Sequence, residues 1–277
     1  MSNLLLKIDK SKKSLKDFSL KIDFNTKFKK DICHYENADF MILLDGIILN
    51  KKDFCDEKKN SWEECLITLY KDKGDIFYNE FRGSFLGVLF DKKEDKWIIF
   101  QDHIGSKNMF FAELEGCGYV FSNQISTIFN LRKKLGANED LDLDAAYMLL
   151  SYGYMLDNHT LSVNIKKMLP GTFIKIEKEQ FSEKTYYQLN NTPNNNLTEV
   201  EIIERMDELF RQAIKRQFDK DLEYGYKHFV ALSGGLDSRM TSWVANKMGY
   251  TNQLNFTFSQ SGYLDESIPK NIAQDLK

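Results

Sequence analysis

Several things are scarce in this 277-residue sequence. No stretch approaches the roughly 18 consecutive apolar residues of a membrane-spanning helix, so no span is expected. Near the start only Leu4 to Leu6 is apolar, and Lys7, Lys10, Lys12 and Lys13 interrupt the next residues, so no secretory leader is drawn there. The four cysteines, Cys33, Cys55, Cys65 and Cys117, form no C-x-x-C pair, which argues against a zinc knuckle or a disulfide framework and for reduced thiols in a cytoplasmic chain. Four histidines, His34, His103, His159 and His228, stand at no metal-ligand spacing and read as structural or surface residues. Charge of one sign is also lacking: 38 Lys and Arg against 41 Asp and Glu leave a net −3, so no nucleic-acid or anionic-membrane partner is called for. The basic clusters Lys10–Lys16 and Lys27–Lys30 read as solvated strand edges. With only 3 prolines but 21 Phe and 13 Tyr, the chain has the means to bury a core, and its length suits about two domains.

What is present falls into two grammars. Phe18 to Phe24 alternates strictly and predicts a half-buried strand. Phe40 to Leu44, Asp45-Gly46 and Ile47 to Leu49 read as a tight hairpin. Ser61 and Glu64 form a capping box before a helical stripe of Cys65, Leu66, Leu69 and Tyr70. Phe85–Phe90, Trp97–Phe100, Met109–Phe111 and Tyr119–Phe121 read as a meander of short strands, Leu143–Leu150 as a helix and Thr172–Ile176 as a further strand. These antiparallel strands with a few helices make an α+β N-terminal domain over 1–190. The polar run from Asn190 to Asn196 marks a linker, 191–197. Thr198 and Glu201 then cap a long helix with Ile202, Met206, Leu209, Ala213 and Ile214 on one face. Beyond it, a strand (Phe229–Leu232), a glycine loop, a helix (Met240–Met248) and a strand (Leu254–Phe258) spell one βαβ unit, the start of an α/β parallel-sheet domain over 198–277.

The loop carries the chemistry. Ser233-Gly234-Gly235-Leu236-Asp237-Ser238 stands between a strand and a helix N-terminus, where unpaired amides and the positive end of the helix dipole attract phosphate. The glycines let the backbone approach, the serines add hydroxyls, and a carboxylate in such a place suits a divalent cation shared with phosphates. The string is neither a Walker A loop nor G-x-G-x-x-G; its bland alternative is an ordinary glycine-rich turn.

On these residues the chain resembles the asparagine synthetase family. Ser233 to Ser238 is similar to the pyrophosphate loop (PP-loop) of the ATP pyrophosphatases, and Leu254 to Leu276 is similar to the strand and helix that come after it. Ser61-Trp62-Glu63-Glu64 through Phe85, Phe100 through Phe111, Ile165 to Thr172 and Thr185 to Leu189 resemble segments of a class II glutamine amidotransferase domain, an Ntn-hydrolase-like αββα sandwich. The resemblance implies ATP and magnesium as cofactors, with Ser233, Gly234, Gly235, Asp237 and Ser238 on the pyrophosphate, Asp237 also on the metal, and strand residues Leu232 and Phe258 near the adenine. The implied activity is amide-bond formation: a small-molecule carboxylate becomes an acyl-adenylate with release of pyrophosphate, and ammonia or an amine attacks it. Arg239, where relatives carry a small or apolar residue, either reaches a phosphate or lies on the solvent face. Asp265 and Glu266 either cap their helix or lie near the nucleotide.

The glutaminase features are altered. Ser2 stands where the family has its nucleophilic cysteine, leaving only a serine with a free α-amine as a residual possibility. Asp45-Gly46-Ile47 replaces Asn-Gly-Glu, Trp62 replaces the aspartate that pairs with the α-ammonium of glutamine, and no Arg-His-Arg-Gly-Pro segment occurs. The expectation is an inactive amidotransferase domain joined to the opening of a synthetase domain. Such a chain is a fragment, a truncated reading frame or one completed by a second polypeptide, with a homodimer as a further partner, and is inactive toward ATP in isolation. The competing expectation is a non-catalytic interaction module of the same descent.

Overall fold

A run such as Phe40–Leu44, apolar at every position, makes sense in a strand only if both of its faces are covered. The computed structural model, which describes residues 3–9, 15–24, 27–56, 58–138, 140–178, 180–193 and 196–276, shows this arrangement. The chain forms two compact units, 1–190 and 191–277. In the first, strands β1 (Asn3–Asp9), β2 (Phe18–Asp23), β3 (Cys33–Glu36) and β4 (Phe40–Ile48) precede helix α1 (Trp62–Lys73). Then come β5 (Gly83–Asp91), β6 (Lys96–Gln101), β7 (Phe110–Leu114) and β8 (Gly118–Ser122), helices α2 (Ile125–Lys134) and α3 (Leu143–Tyr152), and β9 (Lys166–Lys167), β10 (Thr172–Glu177) and β11 (Gln180–Thr185). They pair into two antiparallel sheets, ordered β2-β1-β8-β7-β9 and β11-β10-β6-β5-β4-β3.

The period-2 geometry of a strand sends alternate residues of β4 to different cores. Phe40, Ile42 and Leu44 join Trp62 and Leu66 of α1, together with Phe77, Phe81 and Phe100, on one side. Met41 and Leu43 face the other way, into a core shared with Leu4, Leu6 and Ile8 of β1 and Phe121 of β8. On the far side of that second sheet, Ala112, Leu114 and Val120 pack with Ile128 of α2. The layers therefore run helix, sheet, sheet, helix. Gly87 is obligatory here: a Cβ would come within 2.2 Å of the Phe100 ring, which stacks on Tyr78 at 4.1 Å.

The capping box expected at Ser61 forms in both directions, with Glu64 N–H donating to the Ser61 hydroxyl and Ser61 N–H to the Glu64 carboxylate at 2.9 Å. The hairpin at Asp45-Gly46 does not form. β4 runs straight through, and Gly46 spends its positive φ (148°) on close contact with β5, where a Cβ would sit 2.2 Å from the Ser84 carbonyl oxygen. The reduced-thiol reading also fails for one pair. A disulfide joins Cys55, ahead of α1, to Cys65 within it, with Cα atoms 5.7 Å apart, leaving Cys33 and Cys117 free. Of the first basic cluster, residues 10–14 lie outside the described residues, while Lys27–Lys30 forms a turn and not a strand edge.

The second unit opens with α4 (Glu199–Tyr224), again under a two-way capping box, from Thr198 and Glu201. Strand β12 (His228–Ala231), helix α5 (Leu236–Lys247), strand β13 (Gln253–Phe256) and helix α6 (Leu264–Asp275) complete it, and β12 pairs with β13 in parallel. The expected stripe of α4 is buried only in part. Ile214 and Phe218 enter a core with Val230, Val244 and Ala245, whereas Met206 and Leu209 remain exposed. Among the described residues no helix is long and apolar enough to cross a membrane.

Candidate functional site

Within the second unit the backbone leaves β12 at Ala231, yet Leu232 N–H still reaches the Phe256 carbonyl at 2.9 Å, so the strand ends paired and not frayed. Helix α5 begins earlier than its apolar pattern suggests, at Leu236, with Gly235 as N-cap in extended geometry. Asp237 and Ser238 thus belong to the first helical turn and not to the loop, and an acidic residue there is favoured by the helix dipole. Gly235 has no side chain to cap the helix, which leaves the amides at the start of α5 without the usual hydroxyl or carboxylate acceptor.

The two serines face each other across the loop. Ser233 Oγ and Ser238 Oγ are 2.9 Å apart, Ser233 N–H donates to Ser238 Oγ at 3.0 Å, and Gly235 N–H donates to Ser233 Oγ at 3.2 Å. Two of the amides the sequence suggested would be free are therefore held by hydroxyls that an incoming anion would have to replace. Gly234 is packed from behind: a Cβ there would lie 3.0 Å from Asp265 Oδ1 and 3.6 Å from Ile268 Cδ1. Asp265 therefore stands beside the loop. Neither acid caps the helix, whose N-cap Tyr263 has no side-chain partner; Glu266 Oε2 accepts instead from Gly262 N–H at 2.7 Å, and its carboxyl is held below the usual range, first by Lys270 and then by that amide.

The remaining predicted contacts separate. Leu232 is 1% exposed and its side chain is closed into the unit, whereas Phe258 is 89% exposed. Neither is a strand residue: β12 stops at Ala231, and β13 stops opposite it at Phe256. Arg239 neither projects into solvent nor stands free, since its Nη2 donates to the Gly234 carbonyl at 3.3 Å. Among the described residues no group of three or more His, Cys, Asp and Glu could hold a metal by itself.

In the first unit, the positions that differ from the glutaminase pattern are built into the fold. Asp45 is 2% exposed and pairs with Lys107 Nζ at 2.7 Å. Trp62 sits on the first turn of α1, donates from Nε1 to the Asp31 carbonyl at 3.0 Å and carries Lys51 Nζ 5.0 Å from its ring centroid. Asp102 closes the turn after β6, accepting from Ile104 N–H (3.2 Å), Ser106 N–H (3.0 Å), Ser106 Oγ (2.6 Å) and Phe85 N–H (3.2 Å) while Gly105 takes φ 61°. Gln101 donates to the Met168 and Leu169 carbonyls, pinning the segment before Pro170. His103 is held below the ordinary imidazole range by burial and then by Arg82. His159 and His228 each sit against a carboxylate, Asp142 at 3.1 Å and Asp221 at 3.0 Å. Ser2 lies outside the described residues.

Comparison with known proteins adds the descent of this fold. The chain is 26% identical over 230 residues to asparagine synthetase (glutamine-hydrolyzing) 2 of Bacillus subtilis, covering 76% of this chain and 30% of that protein. It is 24% identical over 240 residues to a putative asparagine synthetase (glutamine-hydrolyzing) 2 of Methanocaldococcus jannaschii, covering 84% and 45%. It thus spans less than half the length of these curated relatives. Among solved structures, glutamine phosphoribosylpyrophosphate amidotransferase from B. subtilis, complexed with ADP and GMP, aligns over 96% of this chain and 64% of that one at 10% identity and a TM-score of 0.38. The glutamine amidotransferase domain family matches residues 29–187, more than half of the sequence, and the chain belongs to that family.

Proposed function

We propose that this chain serves an asparagine-synthetase-like, ATP-dependent ligase reaction in which a small-molecule carboxylate is activated with loss of pyrophosphate and then taken by ammonia or an amine. One observation carries the reading: a side-chain-free Gly234–Gly235 step leads into an uncapped helix N-terminus, with two hydroxyls and one carboxylate within the same six residues. The departing pyrophosphate accumulates negative charge, and oriented amides with a helix dipole behind them stabilise such charge without having to reorganise. Ser233 and Ser238, bonded to each other in this structure, would turn their hydroxyls to phosphate oxygens. Asp237 would hold magnesium against the same phosphates, neutralising the leaving group.

In this reading the amidotransferase domain does not hydrolyse glutamine. Asp45, buried and paired with the half-exposed Lys107, and the Trp62 indole at the start of α1 occupy positions where the resemblance expects groups that grip the substrate amino acid. A second reading, a non-catalytic docking module, is favoured by α3, which leaves Leu143, Tyr147 and Leu150 exposed at 62%, 67% and 84%.

Magnesium-ATP separates the two. At about 100 times its Kd, a ligand that binds only the native state stabilises by about 2.7 kcal/mol, and we expect protection of that order in thermal melts and limited proteolysis of the full chain. EDTA should abolish it, and Asp237→Asn should weaken it. Absence of protection at millimolar magnesium-ATP would exclude the ligase reading and leave the docking module.

A further inference from the structure

A peptide plane between two glycines has no Cβ on either side to decide which way up it lies, so its orientation must be imposed by partners. The Gly234–Gly235 peptide has one on each edge. Its N–H donates to Ser233 Oγ at 3.2 Å, and its carbonyl accepts from Arg239 Nη2 at 3.3 Å. Because the N–H and C=O of a trans peptide point in opposite directions, the Arg239 contact lies on the edge away from the paired serines. The guanidinium is well placed to stay there. Arg239 lines a groove between α5 and α6 together with Met240, Trp243, Ile272, Asp275 and Leu276, and its Nε is buried without a hydrogen-bond partner among the described residues.

We propose that Arg239 is a positioning residue: it holds the Gly234 carbonyl from behind, so that the Gly235 amide keeps facing the serine side when an anion displaces the Ser233 hydroxyl. This rests on the loop reading above and goes beyond it, because Arg239 acts through the backbone and not by touching phosphate. The contact needs a donor at the end of a long, stiff fork, which an ammonium on a flexible stem reproduces only in part. The cost of losing it is a peptide free to flip, turning a carbonyl oxygen toward the phosphates.

The experiment compares the full chain with Arg239→Met and Arg239→Lys in two measurements. Calorimetric titration with magnesium-ATP should show a loss of at least tenfold in affinity for Arg239→Met and a smaller loss for Arg239→Lys, at unchanged melting temperature without nucleotide. Nuclear magnetic resonance of 15N-glycine-labelled protein, with no nucleotide present, should show the Gly235 amide shifted and exchanging faster in Arg239→Met, and closer to wild type in Arg239→Lys. An affinity loss with an unchanged Gly235 amide would overturn the proposal in favour of direct phosphate contact, and no change in either would overturn it outright. Should Arg239→Met fail to fold, Arg239→Lys decides by the same two readouts. Should the unmodified chain itself fail to bind magnesium-ATP, the ligase reading falls, and the Gly235 amide alone decides whether Arg239 orients the peptide.

Discussion

The two units spend their apolar residues differently. In the first, Phe77, Phe81, Phe85, Phe90, Trp97, Phe100 and Phe121 are at most 1% exposed, and both faces of the central strands are covered. In the second, a small core of Ile214, Phe218, Val230, Val244 and Ala245 is surrounded by apolar groups left open: Phe229 at 63%, Leu254 at 55%, Phe258 at 89%. Strand β12 alternates buried and exposed, and its outward Phe229 stacks on Phe256 at 4.2 Å, with the exposed Phe258 edge-on to Phe256 at 5.8 Å. Parallel strands are normally buried on both faces. The lesson concerns where chemistry can sit: the first unit closes its polar groups into structure, while the second keeps a loop of glycines and serines at an accessible helix start.

Three substitutions test this contrast. Phe100→Ala removes a ring that stacks on Tyr78 and meets Phe77 and Phe85 edge-on, so a loss of about 3–5 kcal/mol is expected in urea unfolding followed by tryptophan fluorescence. Phe218→Ala deletes the ring against which His228 and Tyr250 pack. A loss of about 3 kcal/mol falls there on a much smaller core. Limited proteolysis should therefore cut within 198–276 while 29–187 survives; equal susceptibility of the two regions would break the comparison.

The smallest effect sharpens it. Asp142 caps α3 by accepting from Ala145 N–H at 3.0 Å, and its carboxyl is held below the ordinary range first by that amide and then by His159. Asp142→Ala should cost about 1 kcal/mol at neutral pH. A lowered folded-state pKa supplies stability above the carboxylate range that disappears as pH falls through the lowered value. The gap between variant and parent should thus narrow on acidification in melting experiments, and a gap that widens would assign the cap elsewhere.

Features decided within a few residues were legible. Ser61 with Glu64 and Thr198 with Glu201 announce helix starts because a capping box needs only its own turn. The strand–loop–helix setting of Ser233–Ser238 was equally plain, since two glycines after an apolar run mark a break in the strand. Asp45-Gly46 misled because a glycine signals permissive backbone without saying why it is needed; here the need is close contact with Ser84, 38 residues away in sequence. Cys55 and Cys65 were unreadable as a pair for a similar reason, since a spacing of ten residues fits no local pairing signature. Phe258 continues an alternating pattern and so reads as strand, but the pairing of β12 with β13 ends at Ala231 and Phe256, two residues before it.

Composition and local pattern thus determined by themselves that the chain buries an aromatic core, where most of its helices and strands begin, and that a glycine-serine loop precedes a helix. These depend on hydrophobic periodicity and on hydrogen bonds spanning a few residues. Which serine meets which, that Arg239 grips the Gly234 carbonyl, that Asp265 rather than Glu266 stands beside the loop, and that Asp45 is closed off by Lys107 were decided only by the tertiary structure. The last two need groups from separate elements to arrive side by side, a matter of how the elements pack, and the first two need the loop to fold back onto the first turns of α5, a path that its two glycines leave open.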